Sequence, residues 1–209
     1  MWEQLPEEEQ EALLEKYRDW DVDDNDWCEY HYAQTKEKAH AVGFVVEQCY
    51  WSGFWSQGDG ACFTGVASNI PLLLTAAGYE HLAEAAEGTS LYLLHNDRYY
   101  HENSVTFDFS GWYANNPYDE DEDHFKHLLW AATNPGDEEW IAAADAVEDL
   151  LRDLMIELYR DLEAEYEYLT SDENVIEQLY HNDIIQERLD ELAEEARAEE
   201  ENEAEICAA

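Results

Sequence analysis

Gln57-Gly58-Asp59-Gly60 sets one carboxylate between glycines, where an aspartate could act as a base or hold a ligand at a hairpin tip. The same residues suit a tight hairpin, because Gly and Asp readily supply positive φ. Turn chemistry is the reading taken for Asp59. No P-loop Lys and helix follow at the spacing a phosphate cradle needs. His95, His101 and Glu102, beside Tyr99 and Tyr100, form a second group. A metal would require such ligands to converge on one face, and nothing in the spacing forces that. His124 and His127 lie one helical turn apart without a His-Glu-x-x-His pattern. Asp21-Val22-Asp23-Asp24-Asn25-Asp26 lacks the central Gly and twelfth-position Glu of a calcium loop. No nucleophile motif of the G-x-S-x-G kind is present. The expectation is a protein that is not an enzyme, with no catalytic residue, no metal and no cofactor.

The remaining chemistry is charge. From Asp137 to the C-terminus, 26 Asp and Glu face four Arg, an excess of 22 negative charges in 73 residues. Such runs are often disordered. Here apolar residues recur at Val147, Leu151, Leu154, Leu158 and Leu162, then at Val175, Ile176, Leu179, Ile185, Leu189, Leu192 and Ala196. Both sets have helical period, so the carboxylates are expected on the outer faces of two long helices. The excess amounts to about one charge per 5 Å of helix, or per about 2.5 Å for a folded-back hairpin, against roughly 1.7 Å in duplex DNA. Four Arg cannot neutralise these acids through i,i+4 pairs, so like charges must stand together at a cost in stability.

The whole chain has 209 residues, a formal charge of −42 and a pI near 4.1. Self-repulsion of that size opposes compaction. It excludes nucleic acid and anionic membranes as direct partners and favours a basic surface. Adaptation to high salt would coat the chain evenly, but the net charge is −1 over residues 31–70 and −22 over 137–209. With 45% hydrophobic residues, eight Trp and 14 Tyr, the chain can still build a core. Cys28, Cys49, Cys62 and Cys207 form no CxxC pair. They read as reduced, buried thiols, with Cys49 and Cys62 facing across a hairpin. No apolar run reaches membrane-spanning length, and the start lacks a basic targeting segment.

These residues need a scaffold. Helices are expected over 6–18 and 26–41, the second carrying Trp27, Tyr30, His31 and Gln34 on one face and stopped by Gly43. Residues 44–55 and 61–67 read as an antiparallel hairpin around the turn at 56–60. A helical pair over 72–77 and 80–87 is punctuated by Gly78 and Gly88. Two more strands, 90–95 and 104–109, join through Asn96-Asp97-Arg98. An acidic linker (115–123), a helix (124–132) and an Asn134-Pro135-Gly136 break precede the acidic helices. The fold class is α+β: a small antiparallel sheet with flanking helices, then a long acidic helical hairpin or bundle. Two domains are expected, 1–116 and 124–205.

The stretch Tyr50-Trp51-Ser52-Gly53-Phe54-Trp55-Ser56-Gln57-Gly58-Asp59-Gly60-Ala61-Cys62-Phe63 resembles a group of phage-encoded small proteins that share an aromatic-SGF-W-SQGDGACF motif. Tyr17-Arg18-Asp19-Trp20 and Tyr99-Tyr100-His101-Glu102-Asn103-Ser104-Val105 are similar to that group too, so the resemblance covers about residues 14–113. It implies a phage or prophage origin and action in the host cytoplasm. Some members are described as antitoxin-like, and the resemblance brings no catalytic residues.

Together these readings predict an inhibitor that imitates DNA, or RNA, and occupies the basic groove of a host DNA- or RNA-binding protein. Such a partner would be a defence nuclease, a methyltransferase or an effector complex of restriction, BREX-like or CRISPR type. The phosphate-mimicking candidates are Glu148, Asp149, Asp153, Glu157, Asp161, Glu163, Glu165, Glu167, Glu187, Asp190, Glu191, Glu194 and Glu195. Trp51, Phe54, Trp55 and Asp59 are candidate secondary contacts, and an amphipathic acidic helix pair could form a homodimer. Two rivals stand beside this: an antitoxin or host-factor inhibitor acting through the α+β part, and a small-molecule or nucleotide-processing enzyme built on Asp59 and His101.

Overall fold

Alternating and periodic apolar residues produce most of the elements they predict. The computed structural model describes residues 1–24, 26–86, 89–95, 99–109 and 138–208. The expected turn at 96–98, Gly88, the linker at 115–123, the helix at 124–132 with His124 and His127, and the break at 134–136 lie outside the described residues. The chain is α+β. Its elements are α1 (Glu7–Tyr17), α2 (Glu29–Ala41), β1 (Phe44–Ser52), β2 (Gly60–Ala67), α3 (Ile70–Ala76), β3 (Tyr92–His95), β4 (Val105–Asp108), α4 (Glu138–Leu169), α5 (Asp172–His181) and α6 (Ile184–Ala208). Residues 26–28 and 80–86 are 3-10 rather than α-helical. Among the described residues, no helix is long and apolar enough to cross a membrane.

The described chain divides into two compact units, Met1–Trp27 with Ala164–Ala209, and Cys28–Glu163. In the second unit the sheet runs β1-β2-β3-β4, antiparallel throughout. A bulge at Glu47 shifts the β1–β2 register between Val46 and Gln48. The core gathers Phe44, Val46, Phe63, Leu73, Leu74, Leu91, Leu93 and Val105. Ala143, Ala144, Val147, Leu151 and Met155 of α4 belong to the same core. This corrects the expected division into 1–116 and 124–205. The small side chains of Ala143 and Ala144 lie fully buried in the core they share with the strands, so the first turns of the acidic helix form one body with the sheet.

In the first unit, Leu5 and Leu13 pack with Val175, Leu179 and Ile185, flanked by Trp2, Leu14, Tyr17, Leu189 and Leu192. Buried Asn174 donates through Nδ2 to Asp21 Oδ2 at 3.1 Å and to the Leu169 carbonyl at 2.9 Å. Arg188 grips Glu9 with two parallel bonds of 2.8 Å, Nε to Oε2 and Nη2 to Oε1. The single helix expected across residues 175–196 is two helices. Asn182 ends α5, and Asp183 takes φ 60, a left-handed turn that Asn and Asp tolerate best after glycine.

Candidate anionic surface

On α4 the apolar stripe turns Val147, Leu151, Leu158 and Leu162 inward, so the opposite face is fixed in solvent. That face carries Asp145, Asp149 and Asp153, all exposed and spaced four residues apart. An α-helix puts such residues on one ridge with an axial step of about 6 Å. Among the described residues, none of these three enters an ion pair. Arg160, seven residues beyond Asp153 and so on the same face, ends the ridge with a positive charge.

Several candidates on α4 are already engaged. Glu148 is half-buried and bonded to Arg152 (3.2 Å). Burial pushes its carboxyl above the ordinary range, and the Arg152 hydrogen bond only partly opposes this. Arg152 also donates to the Glu102 carbonyl and lies 4.8 Å from the centre of the Phe107 ring. Glu157 and Asp161 are both held by Lys38, at 3.0 and 3.6 Å. These three acids are ion-paired within their own unit. Glu163 and Glu165 are half-buried, and Glu167 is exposed.

On α6, Glu187, Glu191, Glu195, Glu199 and Glu203 follow one another every fourth residue, all exposed. Asp190 and Glu194 are exposed beside them. Arg188 reaches Glu191 at 2.9 Å and Glu195 at 3.4 Å; Gln186 donates to Asp190 at 2.9 Å. The candidate set missed Asp145, Glu199 and Glu203. Counting fours from its own members would have found them.

The hairpin tip separates the secondary candidates. Asp59 Oδ2 accepts from the backbone N–H of Trp55 (3.1 Å) and Ser56 (2.7 Å), closing the turn. A Cβ on Gly53, whose φ is +34, would stand 2.6 Å from that oxygen. A Cβ on Gly60 would overlap His101. The glycines and aspartate of the aromatic-SGF-W-SQGDGACF stretch therefore answer to packing. Phe54 is buried, stacked on Trp51 at 5.1 Å and packed on Tyr159 of α4 at 5.5 Å. Trp51 is half-buried, while Trp55 is 76% exposed.

The His95, Tyr50 and Tyr100 rings form a triangular cluster, with centroids 4.9 Å (Tyr50–His95), 5.0 Å (His95–Tyr100) and 5.6 Å (Tyr50–Tyr100) apart, and His95 Nε2 lies 2.8 Å from the Tyr99 carbonyl. His101 Nδ1 accepts from the Asn103 N–H at 3.1 Å and caps a short 3-10 turn. Among the described residues, no group of three or more His, Cys, Asp or Glu could hold a metal ion. Cys28, Cys49 and Cys62 are free thiols, each raised by burial to about 11. Cys49 pairs with Phe63 and Cys62 with Tyr50, so the two thiols are offset by one position and do not face each other as expected.

A family model matches residues 27–172. The chain belongs to the DUF8835 family, a domain of unknown function. The DUF8835 match includes the sheet, the hairpin tip and the α4 ridge, and ends before α6. No curated protein and no solved structure matches the chain.

Proposed function

We propose that this DUF8835 protein is a phage-encoded inhibitor that imitates nucleic acid and occupies the basic groove of a host defence protein, acting in the host cytoplasm. The observation that carries the reading is the ladder Glu187, Glu191, Glu195, Glu199 and Glu203, five exposed carboxylates on one helix. Their axial step of about 6 Å is under twice the 3.4 Å between phosphates along one DNA strand. The α4 ridge adds three more acids at the same step. Carboxylates take the place of phosphates against Lys and Arg, and long-range attraction speeds encounter. The mechanism is competitive occlusion in restriction, BREX-like or CRISPR-type complexes, by nuclease, methyltransferase or effector.

The test is DNA cleavage by purified host nucleases with the wild-type chain and a variant carrying Asp149→Lys, Asp153→Lys, Glu194→Lys and Glu199→Lys. Inhibition should be competitive with DNA, weaken steeply between about 50 and 200 mM salt and vanish in the variant. Inhibition that survives the reversal defeats the reading.

A second reading, a protein-binding module of antitoxin-like kind, is favoured by one observation. Val45, Val66 and Tyr92 align across β1, β2 and β3, and Val45, Tyr92 and Leu94 are exposed. This apolar sheet surface would serve a partner that ignores the charge. Val45→Ser with Leu94→Ser would abolish that activity and leave a nucleic-acid mimic intact.

A further inference from the structure

Among the described residues, helices cover the sheet on one side. Phe44, Val46, Phe63 and Leu93 face that side and are buried, and successive residues of a strand point to opposite sides. The other side therefore presents Val45, Val66 and Tyr92 in one row across β1, β2 and β3. Thr64 and Leu94, each two positions along, continue it beside Gln48 and Thr106. Tyr50 follows, with the Tyr100 ring parallel to it at 5.6 Å. Val45, Tyr92, Leu94 and Tyr100 are all exposed. A solvated sheet face is ordinarily polar, and a contiguous apolar one marks a contact surface.

Charge says what that surface can meet. The four strands carry two acids, Glu47 and Asp108, one on each edge strand, and no Lys or Arg. The whole chain carries −42. A basic partner finds almost nothing to pair with on this face. A second copy of the chain, repelled by the acidic helices, finds a surface where repulsion is weak. α4 lies on the covered side of the sheet, and its ridge of Asp145, Asp149 and Asp153 faces away from the core it shares with the strands. A helix with its side chains is about 10–12 Å across. The ridge therefore stands beyond the Debye length of about 8 Å at physiological salt. In two copies joined at the open faces, the two ridges point away from each other.

We propose that the open face of the sheet joins two copies of this chain across a two-fold axis. One patch then meets itself, as a cyclic dimer requires, with sheet packed on sheet at about 10 Å. The dimer is independent of whether the anionic surface imitates nucleic acid. It gives to a second copy the surface that an antitoxin-like module would offer an unlike partner. Strands about 4.8 Å apart make the face roughly 14 Å wide, and over roughly 20 Å of strand its footprint is about 300 Å². That is under half of the about 800 Å² per partner of a standard interface, so the dimer is weak and reversible.

The experiment is analytical ultracentrifugation of the full chain from about 5 to about 500 µM, with a midpoint expected near 10–100 µM at 0.15 M NaCl. Raising NaCl to about 0.5 M should tighten the dimer several-fold, because salt screens the remaining repulsion. Val45→Ser with Leu94→Ser, and separately Leu94→Glu, should each weaken it at least about tenfold, with thermal unfolding of the monomer unchanged. In amide NMR spectra, Val45, Val66 and Leu94 should shift with protein concentration while Asp149 and Asp153 stay still. A chain that remains monomeric at every concentration in 0.5 M NaCl overturns the proposal and leaves the face to an unlike partner. A dimer that survives both sets of substitutions, or concentration shifts confined to the acidic helices, places the contact elsewhere and overturns it too. Nuclease inhibition by the Val45→Ser, Leu94→Ser monomer reads the anionic surface separately: its absence counts against nucleic-acid mimicry and leaves the dimer standing.

Discussion

Phe54 rests on Tyr159, ring centroids 5.5 Å apart, and so ties the tip of the β1–β2 hairpin to the middle of α4. The contact joins residues 105 positions apart in sequence, and only 9% of Phe54 remains exposed. Phe54→Ala should cost about 3 kcal/mol or more, as large-to-small changes at buried aromatic sites do. Tyr159→Phe, which deletes only an exposed 3.3 Å bond, should cost under about 1 kcal/mol. Urea midpoints of the two variants measure both. Similar losses in the two would mean that the hydroxyl, not ring packing, holds the tip.

Asp59 is the residue a catalytic reading would choose, yet its Oδ2 takes both turn N–H groups. Asp59→Ala should destabilise by about 1–2 kcal/mol, the usual range for losing an acceptor that caps backbone donors. Inhibition of a host nuclease should fall only in proportion to the folded fraction. An enzyme built on Asp59 and His101 would instead lose its activity in a variant that remains folded.

The parts of this architecture that were legible in the sequence are the local ones. The stripe from Val147 to Leu162 placed α4's buried face correctly, because helical periodicity is set by the residues on the helix itself. The alternation of Val105 and Phe107 with Thr106 and Asp108 gave β4. The break at Asn182-Asp183 was missed because the apolar spacing runs across it, although Asn-Asp is itself a left-handed turn signal. The pairing of Lys38 with Glu157 and Asp161 could not be read, since it is made by packing 119 or more positions apart. Glu157 and Asp161 are engaged by that contact, whereas Glu148 pairs with Arg152 four positions on in the same helix.

The Glu9–Arg188 pair gives a pH-dependent prediction. Hydrogen bonding to Arg188 holds the Glu9 carboxyl below its ordinary 4.5. A carboxyl lowered in the fold stabilises above its unfolded value, and that contribution fades as pH falls through the lower folded value. Wild type should therefore exceed Glu9→Gln in urea midpoint at pH 6–7, and the gap should narrow as pH falls below 4.5. A gap constant from pH 7 to pH 3 would show that the pair contributes by packing rather than charge.

The thiols of buried Cys28 and Cys62 and half-buried Cys49 give the opposite sign at the alkaline end. Cys28, Cys49 and Cys62 ionise at about 11 in the fold against an ordinary 9.0. Between those values the unfolded chain releases protons that the folded chain retains, so stability falls as pH rises from 9 to 11. At pH 8 these thiols should resist a thiol-specific reagent until urea unfolds the chain. Cys28→Ala with Cys49→Ala and Cys62→Ala should flatten the alkaline limb. Rapid native labelling of Cys28 and Cys62 would contradict their burial.

The outer half of α6 sets the limit on how far the carboxylate ladder can stay ordered alone. From Ala193 to Glu203 every residue is exposed, so packing does not offset the repulsion of Glu199 with Glu195 and Glu203, and Arg188 compensates Glu195 from one side at 3.4 Å. Like charges at i,i+4 each cost a few tenths of a kcal/mol, about 0.2–0.5, and a helix segment this short is marginal in water. Glu199→Lys converts both of its i,i+4 neighbours from repulsive to attractive pairs, a swing of roughly 1 kcal/mol. Amide exchange from 193 to 203 should slow several-fold in that variant at low salt. In the wild type, raising salt from about 10 mM to 0.5 M should produce a similar slowing, because the Debye length shrinks below the ladder's spacing. Nona-arginine at low salt should slow exchange in the same segment, since a bound polycation neutralises the ladder. If charge substitution, salt and polycation all leave exchange there unchanged, repulsion does not limit the order of this helix, and the ladder is not the element a cationic partner stabilises.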